Sequence, residues 1–233
     1  MDQKGGGEHS TNSVLLKGLS SEQIVDVLSK SSRKWFAKDS QIVRELDADN
    51  NIYLIESGVL GVAQFSSSGK EVSYTELHQG ENFGELSAID GKPRSASVTA
   101  LTDSEVTIMP FTVFKCLVPA DSPVSIEIML QLTSMVRRLC DRIYEFSTLS
   151  VSNRIHAEIL RLARKNIDLD GVARIASPPT HAQLASRVSC NREAVSRELK
   201  RMEKLGIIQK EGRRWIIPDV DRLQKMVDEV HKL

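Results

Sequence analysis

The sequence predicts an α+β protein: an N-terminal antiparallel β-roll, then a long helix, then a helix-turn-helix followed by a β-hairpin. Three observations predict it. Short β-rich runs separated by Gly- or Asp-bearing turns recur between about residues 32 and 109, a spacing typical of an antiparallel sandwich or barrel. An apolar row with near-heptad steps follows. Beyond it, two short capped helical patterns precede a hairpin bounded by Gly206 and Pro218.

Taken in order, residues 1–13 are Gly, Ser, Asn and charge, the composition of a loose arm. Leu15, Leu16, Leu19, Ile24, Val27 and Leu28 have near-helical spacing over 14–29. The strand-like runs are 41–44, 51–56, 60–65, 72–76, 95–100 and 104–109, with turn glycines at Gly58, Gly69, Gly80 and Gly91. Residues 110–123 read as a hinge-like stretch. A helix begins at 122–126, and Ile128, Leu132, Met135, Leu139, Ile143 and Phe146 form its stripe. That stripe fits a helix packed on its own domain or, the favoured reading, a two-stranded coiled coil holding a homodimer. Residues 150–153 are expected to hinge, 155–163 to resume the helix, and 180–187 and 191–205 to form the helix pair. The expected domains are the arm 1–13, the β-roll 14–121, the dimerisation helix 122–149, the hinge 150–153 and the C-terminal domain 154–233.

Composition narrows the function. The chain has 233 residues, 40% hydrophobic and 27% charged, with 31 basic and 31 acidic side chains. The balance is uneven: residues 151–233 carry 17 basic against 11 acidic groups, and residues 1–150 carry 14 against 20. A basic second half suits a polyanion. No apolar run approaches about 18 residues and no signal-peptide pattern opens the chain, so a cytoplasmic protein is expected. Cys116, Cys140 and Cys190 lack C-x-x-C spacing, and His9, His78, His156, His181 and His231 lack paired ligand spacing, so neither a disulfide framework nor a metal site is expected. No nucleophile–base pair or catalytic carboxylate constellation is evident, and no enzyme is expected.

Two segments carry chemistry. In the first, Gly84 opens a short helix where backbone can approach an anion closely. Glu85 follows as an acceptor for a sugar hydroxyl, and Arg94 and Ser95 offer a guanidinium and a hydroxyl to phosphate oxygens. A carboxylate for sugar beside a guanidinium for phosphate describes a nucleotide monophosphate site. A plain Glu85–Arg94 ion pair is the simpler alternative. In the second, Leu184, Ala185, Val188, Val195 and Leu199 form the inward faces of two crossed helices. Arg192, Glu193, Ser196 and Arg197 then point outward, where arginine can grip guanine and glutamate can accept from cytosine. Thr180 and Asn191 are the expected caps of the two helices, and Arg213 and Arg214 sit at the hairpin tip.

The string Phe83-Gly84-Glu85-Leu86-Ser87, continuing at Pro93-Arg94-Ser95-Ala96-Ser97-Val98, resembles the phosphate-binding cassette of cyclic-nucleotide-binding domains. Arg192-Glu193 with Arg197, followed by the hairpin, resembles the winged helix of the Crp/Fnr family. From about 14 to 220 the order of parts is similar to that of Crp/Fnr regulators. The resemblance implies that Glu85 binds the ribose 2′-hydroxyl and that Arg94, Ser95 and the backbone around Gly84, Leu86, Ser87 and Ala96 bind the cyclic phosphate beside Phe83. Members that bind cAMP reach the base with adjacent Thr and Ser hydroxyls on the long helix. Leu139 and Cys140 stand at those positions here, which leaves cAMP, the expected effector, open against cGMP. Thr75 is a further pocket contact. The resemblance also implies that Arg192, Glu193 and Arg197 read bases of a palindromic half-site, with Thr180, His181, Asn191, Ser196 and Ser152 on phosphates. Double-stranded DNA, a cyclic nucleotide, a second copy of the chain and RNA polymerase are the expected partners. A redox or gas sensor of the same family is the alternative, though residues 1–30 contain no cysteine for a cluster.

Overall fold

The structure, a computed structural model, describes residues 13–67 and 71–231. The arm expected at 1–13 therefore lies outside the described residues except for Ser13, as does Gly69. Two compact units emerge. One comprises the described residues up to Phe65 together with Tyr74–Val136, and the other comprises those of Ser66–Ser73 and from Arg137 onward.

In the first unit, α1 (Ser21–Ser29) opens with a capping box in which Ser20 and Gln23 satisfy each other's backbone N–H. The strands β1 (Ser32–Phe36), β2 (Gln41–Val43), β3 (Ile52–Ser57), β4 (Val59–Phe65), β5 (Glu71–His78), β6 (Asn82–Phe83), β7 (Ser97–Ala100) and β8 (Ser104–Met109) form two four-stranded sheets among the described residues, ordered β1-β8-β3-β6 and β2-β7-β4-β5. The strand β3 explains the layering. Its side chains alternate across the sheet, so Tyr53 and Ile55 join Leu60, Phe83, Val98 and Val106 between the sheets. Ile52 and Leu54 face the other way, into a cluster with Leu15, Phe114 and Val124. Buried on both faces, β3 reads as a continuous apolar run.

Two expectations change here. The stretch 110–123 holds a helix, α3 (Phe111–Leu117), whose Phe114 is fully buried. The long helix α4 (Pro123–Thr148) places proline at its first position, where the missing N–H costs nothing. Its Val124 and Ile128 belong to the first unit's core, so Ile128 cannot serve an outward seam. The exposed apolar residues are instead Met129, Val136, Leu139, Ile143 and Phe146, together with Ile126, Leu130 and Tyr144. With half-buried Leu132, the row Met129-Leu132-Val136-Leu139-Ile143-Phe146 has the alternating 3,4 steps of a heptad.

The second unit contains the end of α4, α5 (Val151–Arg164), β9 (Ala173–Ile175), α6 (His181–Val188), α7 (Arg192–Lys204), β10 (Gln209–Glu211), β11 (Arg214–Ile217) and α8 (Val220–His231). Ile155, Ile159, Leu184, Val195, Leu199, Met202, Trp215 and Leu223 form its core. The stretch 150–153, expected to hinge, is helical from Val151 onward. Ser150 caps α5, its hydroxyl accepting from the Asn153 amide at 3.3 Å, and Val151 already begins the helix.

A buried ion cluster ties the last turns of α4 to α5 and α6. Glu145 on α4 accepts two hydrogen bonds from Arg161 on α5, at 2.6 and 3.1 Å. Glu158 on α5 accepts from Arg142 at 3.1 Å, from Arg161 at 3.0 Å and from Arg187 at 3.3 Å. Glu145 and Glu158 are only 5% and 4% exposed, so both are charges that need these partners.

Candidate functional site

The register of β3 against β6 sets Tyr53 opposite Phe83, and their rings stack at 4.6 Å. This pairing brings the loop before β3 to Gly84. Gly84 has φ 96°, and a side chain there would collide with the Arg94 Nη1 and the Asn51 carbonyl, each 2.6 Å from an ideal Cβ. Glycine is thus required for two reasons, its backbone conformation and the passage of Arg94.

Arg94 is 3% exposed. Its Nη1 donates to the Gly84 carbonyl at 3.0 Å, and its Nη2 donates to Asp49 Oδ2 at 2.6 Å and the Asn51 carbonyl at 2.7 Å. The guanidinium also lies 5.3 Å from the Tyr53 ring centre. Its Nε is buried and has no hydrogen-bond partner among the described residues. A guanidinium has five N–H donors, and the three bonds engage its two terminal nitrogens while the buried Nε–H keeps no protein acceptor among the described residues. Tyr53 donates its hydroxyl to the same Asp49 oxygen at 2.6 Å. Burial alone would raise the Asp49 carboxyl, but the hydrogen bonds from Arg94 and Tyr53 outweigh it and hold it below its usual range. Tyr53 is pushed well up, by burial first and then by that carboxylate.

Glu85 begins α2 (Glu85–Asp90), buried together with Ser87, and Leu86 is half-buried. Burial raises the Glu85 carboxyl, opposed by its own backbone N–H and by Arg94. The sign follows from linkage. A folded-state value above the ordinary 4.5 means that ionised Glu85 costs stability; the cost is absent below pH 4.5 and complete once pH passes the raised value. Glu85→Gln is therefore expected to raise the ligand-free melting temperature at pH 7, with the gain vanishing in acid, while weakening nucleotide binding. Paired thermal melts at pH 4 and 7 check the first effect and calorimetric titration the second.

The remaining predicted residues are placed as follows. Ser95 is exposed, and its carbonyl accepts from Gln64 Nε2 at 2.8 Å; Ala96 is half-buried. Thr75 is exposed on β5, its hydroxyl donating to the Glu76 carbonyl at 3.2 Å. Leu139 and Cys140 are exposed on the part of α4 that belongs to the second unit. Sequence reasoning missed Asp49, Asn51 and Tyr53. Within Asp47-Ala48-Asp49-Asn50-Asn51 nothing local separates one acid from the other, and only the β3–β6 pairing selects Asp49.

In the second unit, Thr180 caps α6 with a reciprocal box to Gln183, and Asn191 caps α7, its side chain accepting from the Ala194 amide at 2.8 Å. These caps set the helix starts, and Ser189 turns the chain between them with φ 53°. Arg192, Glu193 and Arg197 are exposed on α7, and Arg213 and Arg214 are exposed at the β10–β11 turn. Ser152, Asn191 and Arg197 line one cleft. His181 and Ser196 do not stand free, because the His181 Nδ1 and the Ser196 hydroxyl are hydrogen-bonded to each other at 2.7 Å. The described helices include none long and apolar enough to cross a membrane.

Comparison with known proteins bears on both units. Residues 33–120 match the family model of the cyclic nucleotide-binding domain, and residues 153–226 match that of the Crp-like helix-turn-helix domain. A CRP-like cAMP-activated global transcriptional regulator of Mycobacterium tuberculosis is 25% identical over 191 residues, covering 82% of this chain and 85% of that protein. The cAMP-activated global transcriptional regulator CRP of Escherichia coli is 25% identical over 183 residues, covering 78% and 87%. The solved structure of the c-di-GMP responsive global regulator CLP of Xanthomonas campestris shares the fold, with a TM-score of 0.72 at 19% identity over 85% of this chain and 99% of that one. With a nucleotide-binding roll and a helix-turn-helix in this order, the chain belongs to the Crp family of cyclic-nucleotide-binding transcription regulators.

Proposed function

We propose that the chain is a cAMP-responsive homodimer that binds palindromic promoter DNA when its effector is bound. The observation that carries the nucleotide half is Arg94, a buried cation fixed by Asp49, Asn51 and Gly84 with its Nε–H unpartnered among the described residues and with the buried, oppositely charged carboxylate of Glu85 in its field. A cyclic phosphate supplies the oxygen for Nε, and Ser95 adds a hydroxyl. A ribose 2′-hydroxyl donates to Glu85. No bond is made or broken, because a sensor must release its ligand unchanged. The second reading keeps the fold and changes the base to guanine. It stays open because Leu139 and Cys140 present no hydroxyl pair at the positions proposed to meet the base. Calorimetric titration with cAMP, cGMP and c-di-GMP tests the reading: one-site binding of cAMP supports it, and binding of c-di-GMP alone overturns it.

The dimer is proposed to form through Met129, Leu132, Val136, Leu139, Ile143 and Phe146, since an exposed heptad row calls for a partner helix. Ile143 is 65% exposed, so its substitution removes little buried surface within its own unit. Ile143→Glu is expected to convert the dimer to monomer, as read by sedimentation equilibrium, while both units still unfold cooperatively in calorimetry and the melting temperature loses its dependence on protein concentration. At the second unit, Arg192, Glu193 and Arg197 are proposed to read bases, with Ser152, Thr180, Asn191, Arg213 and Arg214 on phosphates. RNA polymerase is the proposed protein partner.

A further inference from the structure

A recognition helix must present its arginines at a fixed roll about its own axis. Side chains reach about 5–6 Å from that axis, so a roll of about 10° already displaces their tips by about 1 Å. Readout needs tighter placement than that. The core beneath α7 consists of Val195, Leu199 and Met202, apolar contacts that resist rolling only weakly because they have no direction.

Two directional contacts flank this floor. Successive helix residues lie about 100° apart, so Ser196 and Glu198 leave the axis on opposite sides of the core face, with exposed Arg197 between them. The His181 Nδ1 of α6 meets the Ser196 hydroxyl at 2.7 Å on one flank. The His156 Nε2 of α5 meets Glu198 Oε1 at 2.6 Å on the other, where His156 is 6% and Glu198 7% exposed. A buried imidazole–carboxylate contact tolerates little misalignment, because either group unpaired there costs a full desolvation. Arg201 Nη1, 3.7 Å from the same Glu198 oxygen, adds a looser contact on that side.

We infer that His156 and His181 are positioning residues for base reading: each ties one neighbour of Arg197 to a different helix, and together they lock the roll of α7. His156 and Glu198 lie outside the set of residues proposed to touch DNA, and Ser196 acts here through its bond to His181 rather than on a phosphate. The inference rests on the reading of α7 as the recognition helix.

The test uses the full-length chain with cAMP, selecting from a pool of random duplexes and then titrating the enriched duplex and its single-base variants. H156L/E198L removes both buried partners at once, a change compatible with a folded domain. S196A removes the hydroxyl partner on the other flank at a half-buried helix position where alanine is favourable. For each variant the preference for the wild-type bases opposite α7 is expected to fall by about tenfold, with the slope of affinity against salt unchanged, and S196T is expected to restore it. Base preferences within about twofold of wild type in both variants would overturn the inference. So would a uniform loss of affinity in S196A with a shallower salt slope, the mark of a phosphate contact. A wild-type chain that enriches no duplex sequence at all is a different result, overturning the DNA reading itself.

Discussion

Glu158→Ala is expected to destabilise the second unit by about 3–5 kcal/mol, the usual cost of removing one partner from a buried ion pair. Glu158 is 4% exposed and is the acceptor shared by Arg142, Arg161 and Arg187, three cations from three helices. Without it, Arg142, Arg161 and Arg187 each lose a buried carboxylate acceptor. Burial alone would raise the Glu158 carboxyl, but the charges of Arg142, Arg161 and Arg187 more than reverse this and hold it below its ordinary value of 4.5. A depressed folded-state value means stability that is fully present above pH 4.5 and is lost as pH falls through the lower folded value. The wild-type unit should therefore lose more stability than Glu158→Ala on acidification, and the two melting curves should converge. Urea unfolding followed at pH 7 and pH 3.5 checks both statements. A change under about 1 kcal/mol at pH 7 would mean that the cluster behaves as a surface pair.

Arg94→Ala is expected to weaken cyclic-nucleotide binding by about 100-fold, since a charge-assisted hydrogen bond to phosphate contributes about 1.5–3 kcal/mol and the charge itself is lost from a buried site. The same change removes one donor each from Asp49 and from the carbonyls of Gly84 and Asn51, so the first unit should also melt lower. Asp49→Asn separates the two effects. It keeps the shape and one acceptor but removes the charge that fixes the guanidinium, so binding should fall by about tenfold with less loss of stability. Calorimetric titration and thermal melts of both variants decide this. Equal affinities of wild type and Arg94→Ala would remove Arg94 from the site.

Much of this was legible in the sequence because the chemistry lies in contiguous runs. Phe83 to Ser87 and Pro93 to Val98 carry their donors and acceptors within two short segments, and the caps Thr180 and Asn191 announce their helices. What was hidden depends on pairing between distant segments. Asp49 reaches Arg94 only through the register of β3 on β6, and Glu158 meets its three arginines only when α4, α5 and α6 pack. The strand β1 escaped notice because four of its five residues are exposed, as suits an edge strand, so it shows no alternation. The helix α3 was masked by the prolines around it. The exposed row of α4 differs from the expected stripe at two positions, with Met129 in place of Ile128 and Val136 in place of Met135. Ile128 and Met129 are both apolar, and only the core that receives Ile128 tells them apart. The pairing of His156 with Glu198 had no local signal either, since each looks like an ordinary polar residue on its own helix.

Nucleotide binding in the first unit is proposed to control DNA binding by the second. Fluorescence anisotropy of a labelled palindromic TGTGA-type duplex, titrated with the full-length chain at one fixed salt concentration without ligand, with cAMP and with cGMP, tests it most directly. Tight, sequence-dependent binding with cAMP, weak binding without it, and loss of the cAMP effect in Arg94→Ala are the expected results. Equal affinity under all three conditions would contradict that control.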